Sequence, residues 1–158
     1  MNRVKQFFRA LFAKISCEDR EYVKKHLPQA GQKLFFKMAV FDEAHAIAVA
    51  KTIETFKYNG DKEFLIRLAL LHDIGRTNVG IFDKVFAVLL NDLSKKLAIF
   101  LSKYLRSLYV YYNHPQIGAE LLRNAGFEAE AKIIERHHEN IKNPPEELKL
   151  LQLADNIN

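Results

Sequence analysis

The sequence has few of the residues that build disulfide-bonded, fibrous or disordered chains. Its single cysteine, Cys17, excludes an internal disulfide framework and suits a reducing compartment, so we expect a cytoplasmic protein. Four prolines and six glycines, with no low-complexity tract, exclude a fibrous or disordered chain. With 158 residues, 49% of them hydrophobic, the chain can bury the core of one domain.

Long uninterrupted hydrophobic runs are also missing. The most apolar stretch, residues 85–112, is broken by Asn91-Asp92 and Lys95-Lys96, and falls short of the ~18 apolar residues of a membrane span. No small-residue cleavage site follows the apolar positions near the N-terminus, so we expect no secretory signal.

Positive charge is concentrated near the N-terminus. Residues 1–37 contain nine Lys or Arg and three Asp or Glu, whereas the remaining residues are nearly balanced, with 15 against 16. The apolar positions from Val4 to Ile15 have the spacing of one helix face and predict an amphipathic helix. We expect this helix to pack across the protein or on another subunit, as in a homodimer. Peripheral contact of residues 1–15 with an anionic membrane is the alternative.

The rest of the pattern predicts helices only. Ser16 and Asp19 have the spacing of a capping box, which would begin a helix that ends at His26. Asp42 and Asp61 are predicted N-caps, and Pro115 is predicted at a helix start. The further predicted helices cover residues 32–38, 43–56, 62–73, 84–112 (one or two helices), 115–125, 128–140 and 146–158. Because no alternating strand of useful length occurs, the predicted fold class is all-α.

Histidines and aspartates recur at helix ends and on faces that otherwise look apolar. These positions are His45, His72, Asp73, His114, either His137 or His138, and Asp155. One buried histidine is usually a hydrogen-bonded core residue, but so many buried polar groups need partners or a metal to offset their desolvation. Their nitrogen and oxygen ligands suit Fe, Mn, Zn or Ni, so the set indicates a metal site. The sixth histidine, His26, lies outside any motif and is expected to be exposed.

The order of these residues resembles the HD-domain superfamily of metal-dependent phosphohydrolases. The resemblance is carried by His45, by HDIG at 72–75 and by LADNI at 153–157. HPQIGAELL from His114 and IIERHHE ending at Glu139 are similar to the extra histidine motifs of the binuclear subclass, which includes the HD-GYP phosphodiesterases, although the GYP motif itself is absent.

The resemblance implies an HD-domain helical bundle with an extra amphipathic N-terminal helix. We interpret residues 1–38 as a basic helical extension, packed on or flanking the domain, and residues 39–158 as a single globular HD domain.

The resemblance also implies two divalent transition metals, Fe or Mn, with Zn or Ni as alternatives. The first metal would take His45, His72, Asp73 and Asp155, and the second would take Asp73, His114, His137 and His138. Asp73 would bridge the two metals, since a carboxylate has two oxygens. His137 and His138 could both bind one metal only if their helix ends there. If only one of them binds, we favour His138.

The implied activity is hydrolysis of a phosphoester or phosphoanhydride in a small phosphorylated, nucleotide-like substrate through a metal-activated hydroxide. Asp73 and Arg76 would be catalytic, and Arg76 and Lys84 would bind substrate; no specific nucleic acid is expected. Arg76 stands where many relatives have Lys; it can hold a phosphate through two hydrogen bonds but is a poor proton donor. Two alternatives remain open, a di-iron oxygenase of the same superfamily and a non-catalytic regulatory module.

Overall fold

The computed structural model describes residues 14–76 and 106–158. Within these ranges the chain forms seven α-helices, one 3₁₀ turn and no strand, which confirms the predicted all-α class. The elements are α1 (Cys17–His26), α2 (Gln29–Phe35), α3 (Val40–Thr55), α4 (Lys62–Leu71), the 3₁₀ turn (Ile74–Arg76), α5 (Arg106–Asn124), α6 (Glu128–Ile134) and α7 (Glu146–Ile157). Lys84 and most of the predicted amphipathic helix lie outside the described residues.

Two predicted helix starts are confirmed. The Ser16 hydroxyl accepts a hydrogen bond from the Asp19 amide (3.0 Å), and the Asp19 carboxylate accepts one from the Ser16 amide (3.1 Å), which completes a capping box at α1. The Asp61 carboxylate accepts from the Phe64 amide (2.9 Å) at the start of α4. Both caps satisfy amides that have no partner inside the helix.

Three other predicted boundaries are wrong. The N-cap of α3 is Ala39 and not Asp42, because the amides of residues 42 and 43 already bond to the Ala39 carbonyl, which places Asp42 inside the first turn. α2 begins directly after Pro28, three residues earlier than predicted. α6 ends at Ile134, well before the predicted end at residue 140.

Pro115 does not open a helix, contrary to the sequence prediction, but lies inside α5. Proline has no amide hydrogen, so it cannot bond to the carbonyl four residues earlier, which belongs to Tyr111. That carbonyl instead accepts a hydrogen bond from Nδ1 of His114 (2.9 Å). The side chain of the preceding residue thus replaces the missing backbone donor, and the helix continues.

The helices surround one hydrophobic core. α4 is buried on most sides, as its nearly continuous apolar sequence predicts, and residues 68–71 have no exposed surface. α3 packs against α4 and α7, and α6 contacts α4 and α5. Val23 and Phe35 join α1 and α2 to the same core. The domain boundary at residue 38 remains a prediction.

The 3₁₀ turn touches α5 through two glycines. A Cβ atom placed on Gly75 would overlap the carbonyl oxygen of His114 and lie 2.8 Å from the amide nitrogen of Gly118. Because both neighbouring atoms belong to the backbone, neither can turn away. Glycine therefore allows the main chain after Asp73 to lie directly against α5.

His26 is buried, which corrects the expectation that it is exposed. Its Nδ1 lies 2.7 Å from the Glu63 carboxylate on α4, and its ring contacts Tyr22 at a centroid distance of 4.6 Å. The pair joins the end of α1 to the start of α4. No helix in the described part of the chain is sufficiently long and apolar to cross a membrane.

Candidate metal centre

Two groups of potential metal ligands lie side by side at one end of α4. The first cluster consists of His45, His72 and Asp155, and the second cluster consists of His114, His137 and His138. Within each cluster the candidate ligand atoms lie within 4.8 Å of one another. These are the residues that the sequence assigns to the two metals, apart from the shared Asp73.

The first cluster joins distant parts of the chain. His45, in α3, places Nε2 2.9 Å from Oδ1 of Asp155, which belongs to α7 and is 110 residues away in sequence. His72, directly after α4, places Nε2 3.6 Å from the same carboxylate oxygen. Packing of α3, α4 and α7 therefore creates the first cluster.

The second cluster depends on the end of α6. Because α6 ends at Ile134, the turn over residues 135–138 lets two consecutive histidines approach His114. Nε2 of His138 lies 3.1 Å from Nε2 of His114, and the His137 and His114 rings are 5.3 Å apart between centroids. The helix therefore ends before these histidines, which is the condition under which both His137 and His138 could bind one metal.

Asp73 lies between the clusters. Its Oδ2 is 3.6 Å from Nε2 of His72 in the first cluster, and its Oδ1 is 3.4 Å from Nε2 of His114 in the second cluster. The side chain is only 1% exposed. One carboxylate oxygen thus faces each cluster, which is the arrangement that a bridging ligand requires.

Three of the histidines have the same local hydrogen bond. Nδ1 of His72, His114 and His137 donates to the backbone carbonyl three residues earlier, at 2.8, 2.9 and 2.6 Å respectively. In each neutral ring this bond places the proton on Nδ1 and leaves the lone pair on Nε2. Backbone carbonyls commonly orient histidine ligands of metals in this way. The lone pairs of His114 and His137, and that of His72 when its ring is neutral, therefore lie on the Nε2 atoms at the centre.

Charge in the first cluster favours a cation. Burial alone lowers the pKa of His72, but the carboxylates of Asp73 and Asp155 outweigh burial and raise that pKa to about 9. Burial raises the pKa of Asp155, whereas its hydrogen bond with His45 and its proximity to His72 lower it overall. These carboxylates stabilise positive charge, whether it is a proton on His72 or a bound cation.

The second cluster contains neutral rings. Burial lowers the pKa of His114 to about 2, and the nearby Arg76 guanidinium adds to this effect. Burial and the charge of His72 lower the pKa of His137 to about 3. Both rings therefore keep a free lone pair at neutral pH, which metal coordination requires.

Arg76 reaches the centre from the 3₁₀ turn. Its Nη1 lies 3.0 Å from Oδ2 of Asp73, and its Nη2 lies 3.3 Å from Nε2 of His114. Burial raises the pKa of Asp73, but the Arg76 guanidinium and the adjacent histidines hold it well below its usual value. The Arg76 side chain is 24% exposed, and its Nε atom is buried without a hydrogen-bond partner among the described residues.

The deepest part of the centre has buried polar atoms that lack hydrogen bonds. Among residues 14–76 and 106–158, no hydrogen-bond partner reaches Nε2 of His72, Nε2 of His137 or either carboxylate oxygen of Asp73, although Arg76 forms an ion pair with Asp73. Leaving such atoms without partners costs about 1–3 kcal/mol each. Because they are nitrogen and oxygen donors that converge on the two clusters, the residues present fit divalent transition metals.

A family model for the HD domain matches residues 43–158, which include both clusters. The chain belongs to the HD-domain family. HD domains bind divalent metals, and most are metal-dependent hydrolases. No curated protein and no solved structure matches the chain. The family and the two clusters together support a metal-binding HD domain.

Most of the predicted site residues come together in this HD domain. His45, His72, Asp73, Arg76, His114, His137, His138 and Asp155 all lie in the centre. Their individual roles as ligands or catalytic groups remain predictions, and Lys84 lies outside the described residues. The sequence interpretation did not identify Gln152, which bonds to the backbone of the second cluster, because a lone glutamine on a helix gives no motif.

A surface cleft of about 570 Å³ lies away from the metal centre, beside α1, α4 and α6. Two side-chain pairs line it, His26 with Glu63 (2.7 Å) and Arg67 with Glu130 (3.0 Å). These side chains bond to one another, so the cleft has no reactive cluster comparable with the metal centre.

Proposed function

We propose that this HD domain is a metal-dependent phosphohydrolase that cleaves a phosphoester or phosphoanhydride bond in a small, nucleotide-like substrate. The single observation that carries the proposal is the position of Asp73, whose two oxygens face different clusters at 3.6 and 3.4 Å. This arrangement supports two metals, held by the first cluster with Asp73 and by the second cluster with Asp73. Iron or manganese is our proposed metal, with zinc or nickel as the alternative.

A binuclear centre suits phosphoryl transfer. When bound, two divalent metals lower the pKa of water and offset negative charge on the oxygens of the phosphoryl group. The protein's own contribution is to hold the ligands in place, with the lone pairs of His72, His114 and His137 on Nε2. No protein nucleophile is needed in this proposal.

Arg76 supports a phosphate-containing substrate. Its guanidinium is permanently charged and presents several N–H donors in a planar fork that matches two phosphate oxygens. The Arg76 side chain is 24% exposed, and its charge, after burial, contributes to lowering the pKa of His138, the most exposed histidine of the second cluster. A phosphoryl group that enters at this side would meet the guanidinium and accept its hydrogen bonds. An oxidation of a neutral small molecule would not require this cation.

Anaerobic purification followed by elemental analysis tests the proposal, together with hydrolysis of bis(p-nitrophenyl) phosphate and a panel of nucleotides. Close to two metals per chain and metal-dependent hydrolysis would support it. Two irons without any hydrolysis would instead favour the di-iron oxygenase. Near-zero metal that reconstitution does not restore would favour a regulatory module, and an Asp73→Asn variant is the matched negative control.

A further inference from the structure

A side chain from α7 holds the segment that carries His137 and His138. These residues follow the end of α6, where backbone carbonyls lack partners within the helix. Nε2 of Gln152 donates to the His137 carbonyl at 2.9 Å and to the Glu139 carbonyl at 3.0 Å. One amide group therefore connects two carbonyls that flank His138.

Gln152 also lies close to the first cluster along the chain. It precedes Asp155 by three residues, or about one turn of α7. The same helix thus supplies a carboxylate of the first cluster and the donor that restrains the second cluster. The backbone carbonyl of His137 accepts a hydrogen bond from Gln152, and the imidazole ring of His137 contacts His72 and His114.

We propose that Gln152 is a positioning residue, which sets the backbone after α6 so that His137 and His138 reach the same ion as His114. The inference rests on the proposed metal function of the two clusters. His138 is exposed and its neighbours Glu139 and Asn140 are also exposed, so packing restrains this part of the backbone little. The two hydrogen bonds of Gln152 supply the restraint that packing does not.

Another glutamine in the chain provides a matched control. Nε2 of Gln32 donates to the Leu27 carbonyl at 2.8 Å and to the Lys24 carbonyl at 3.3 Å, near the end of α1. The chemistry is the same, one side-chain amide that bonds two carbonyls near a helix end. Neither carbonyl belongs to a residue of the metal centre, so loss of this contact reports only on general stability.

The experiment compares Gln152→Met and Gln32→Met with the parent protein. Methionine has a similar length but no N–H donor. After chelator treatment and dialysis, each full-length protein is titrated with Co²⁺ alone, which binds N/O sites more tightly than Mn²⁺ or Fe²⁺. Binding is followed by calorimetry and by visible absorption, which reports the ligands of each ion without any activity measurement.

We expect Gln152→Met to lose ~10–100-fold in affinity for one Co²⁺ and to retain the other, as is typical when a residue that orients metal ligands is removed. Gln32→Met should bind both ions like the parent. Gln152→Glu gives a second test, since it keeps the volume but directs a carboxylate at the two carbonyls. This variant should bind the same Co²⁺ ion with lower affinity than the parent. Thermal unfolding of the metal-free proteins accompanies each titration.

Two tight Co²⁺ ions in both Gln152 variants would overturn the positioning role and leave the proposed function standing. Equal losses in Gln152→Met and Gln32→Met would also overturn it, because general destabilisation would then explain the result. Absence of Co²⁺ binding to the parent protein would overturn both the positioning role and the proposed metal function.

Discussion

His72 and His137 meet edge to face, with ring centroids 5.5 Å apart and ring planes at 84°. One ring belongs to the first cluster and the other to the second, so the contact joins the two clusters into one centre. Both rings are almost completely buried. A substitution at either histidine therefore affects the geometry of both clusters, whereas residues at the outer ends of the clusters can be tested separately.

Asp73→Asn tests the proposed bridge. The amide keeps the shape but loses the negative charge and one of the two acceptor oxygens, so we expect metal content to fall from about two ions per chain towards zero. Hydrolysis should disappear with the metal. Elemental analysis provides the measurement. As a control, Glu130→Gln removes a buried carboxylate outside both clusters, and this variant should keep the metal content of the parent. Unchanged metal content in Asp73→Asn would refute the bridge.

His45→Ala and His114→Ala test whether the clusters bind separate ions. His45 belongs only to the first cluster and His114 only to the second, so we expect each variant to retain about one metal per chain. Both should lose most hydrolytic activity, since the chemistry needs both ions. Metal titration of each variant, with the parent beside it, measures the number of ions. Loss of both ions from His114→Ala would mean that the clusters bind metal only together.

Removal of metal should destabilise the parent protein. A ligand that binds only the folded state at 100 times its Kd adds about 2.7 kcal/mol to the free energy of unfolding. In a protein of this size that corresponds to a fall in Tm of roughly 5–10 °C after chelation. Calorimetric scans with and without chelator measure the shift. Asp73→Asn is the control, and its Tm should not respond to chelator.

Pro115→Ala should separate stability from metal binding. Alanine restores an amide hydrogen that can bond to the Tyr111 carbonyl, so it would compete with Nδ1 of His114 for that acceptor. We expect metal affinity of the second cluster to fall about tenfold. The free energy of unfolding of the metal-free protein should instead rise by ~1–2 kcal/mol, because proline is unfavourable within a helix. Nitrogen NMR of His114 would report the tautomer directly; an unchanged Nδ1–H tautomer with unchanged affinity contradicts the argument.

The capping box predicts a pH effect on stability. The hydrogen bond from Lys51 (2.6 Å) is the main cause that lowers the pKa of Asp19 below its usual value of 3.8, with Ser16 adding to it against the opposing effect of burial. A lowered pKa in the folded state stabilises the protein above pH 3.8, and this contribution is lost as pH falls through the folded pKa.

We therefore expect Asp19→Asn to reduce the free energy of unfolding by ~0.5–1 kcal/mol at pH 7. The difference from the parent should shrink below the usual pKa of Asp19. Denaturant titrations at several pH values measure it, and Lys51→Met isolates the part that comes from the ion pair. A difference that is the same at pH 7 and under strongly acidic conditions would contradict the assignment.

Local signals in the sequence predicted local structure well. The side chains of Ser16, Asp19 and Asp61 cap helices as expected, because capping depends on residues only three positions apart. The prediction for Pro115 was wrong because proline usually begins a helix. Here Nδ1 of the preceding residue, His114, supplies the hydrogen-bond donor that proline lacks. The prediction for Asp42 was wrong because an aspartate inside the first turn cannot be distinguished in sequence from an aspartate at the N-cap.

Long-range features could not be obtained from spacing alone. The approach of His45 to Asp155 joins positions 110 residues apart, and only the family resemblance placed them at one metal. The burial of His26 depends on Glu63 from another helix, which no pattern around His26 indicates. Gln152 was missed for the same reason, since its partners are backbone carbonyls with no sequence signature.

The backbone contact at Gly75 has a consequence for how this protein can diverge. The segment that carries Asp73 and Arg76 lies against α5, which carries His114, through a backbone contact at Gly75. Core residues elsewhere can be exchanged for others of similar volume without changing the distance between the 3₁₀ turn and α5. Any side chain at Gly75 would instead overlap the backbone of α5, so a substitution at this position would move Asp73 and Arg76 away from His114.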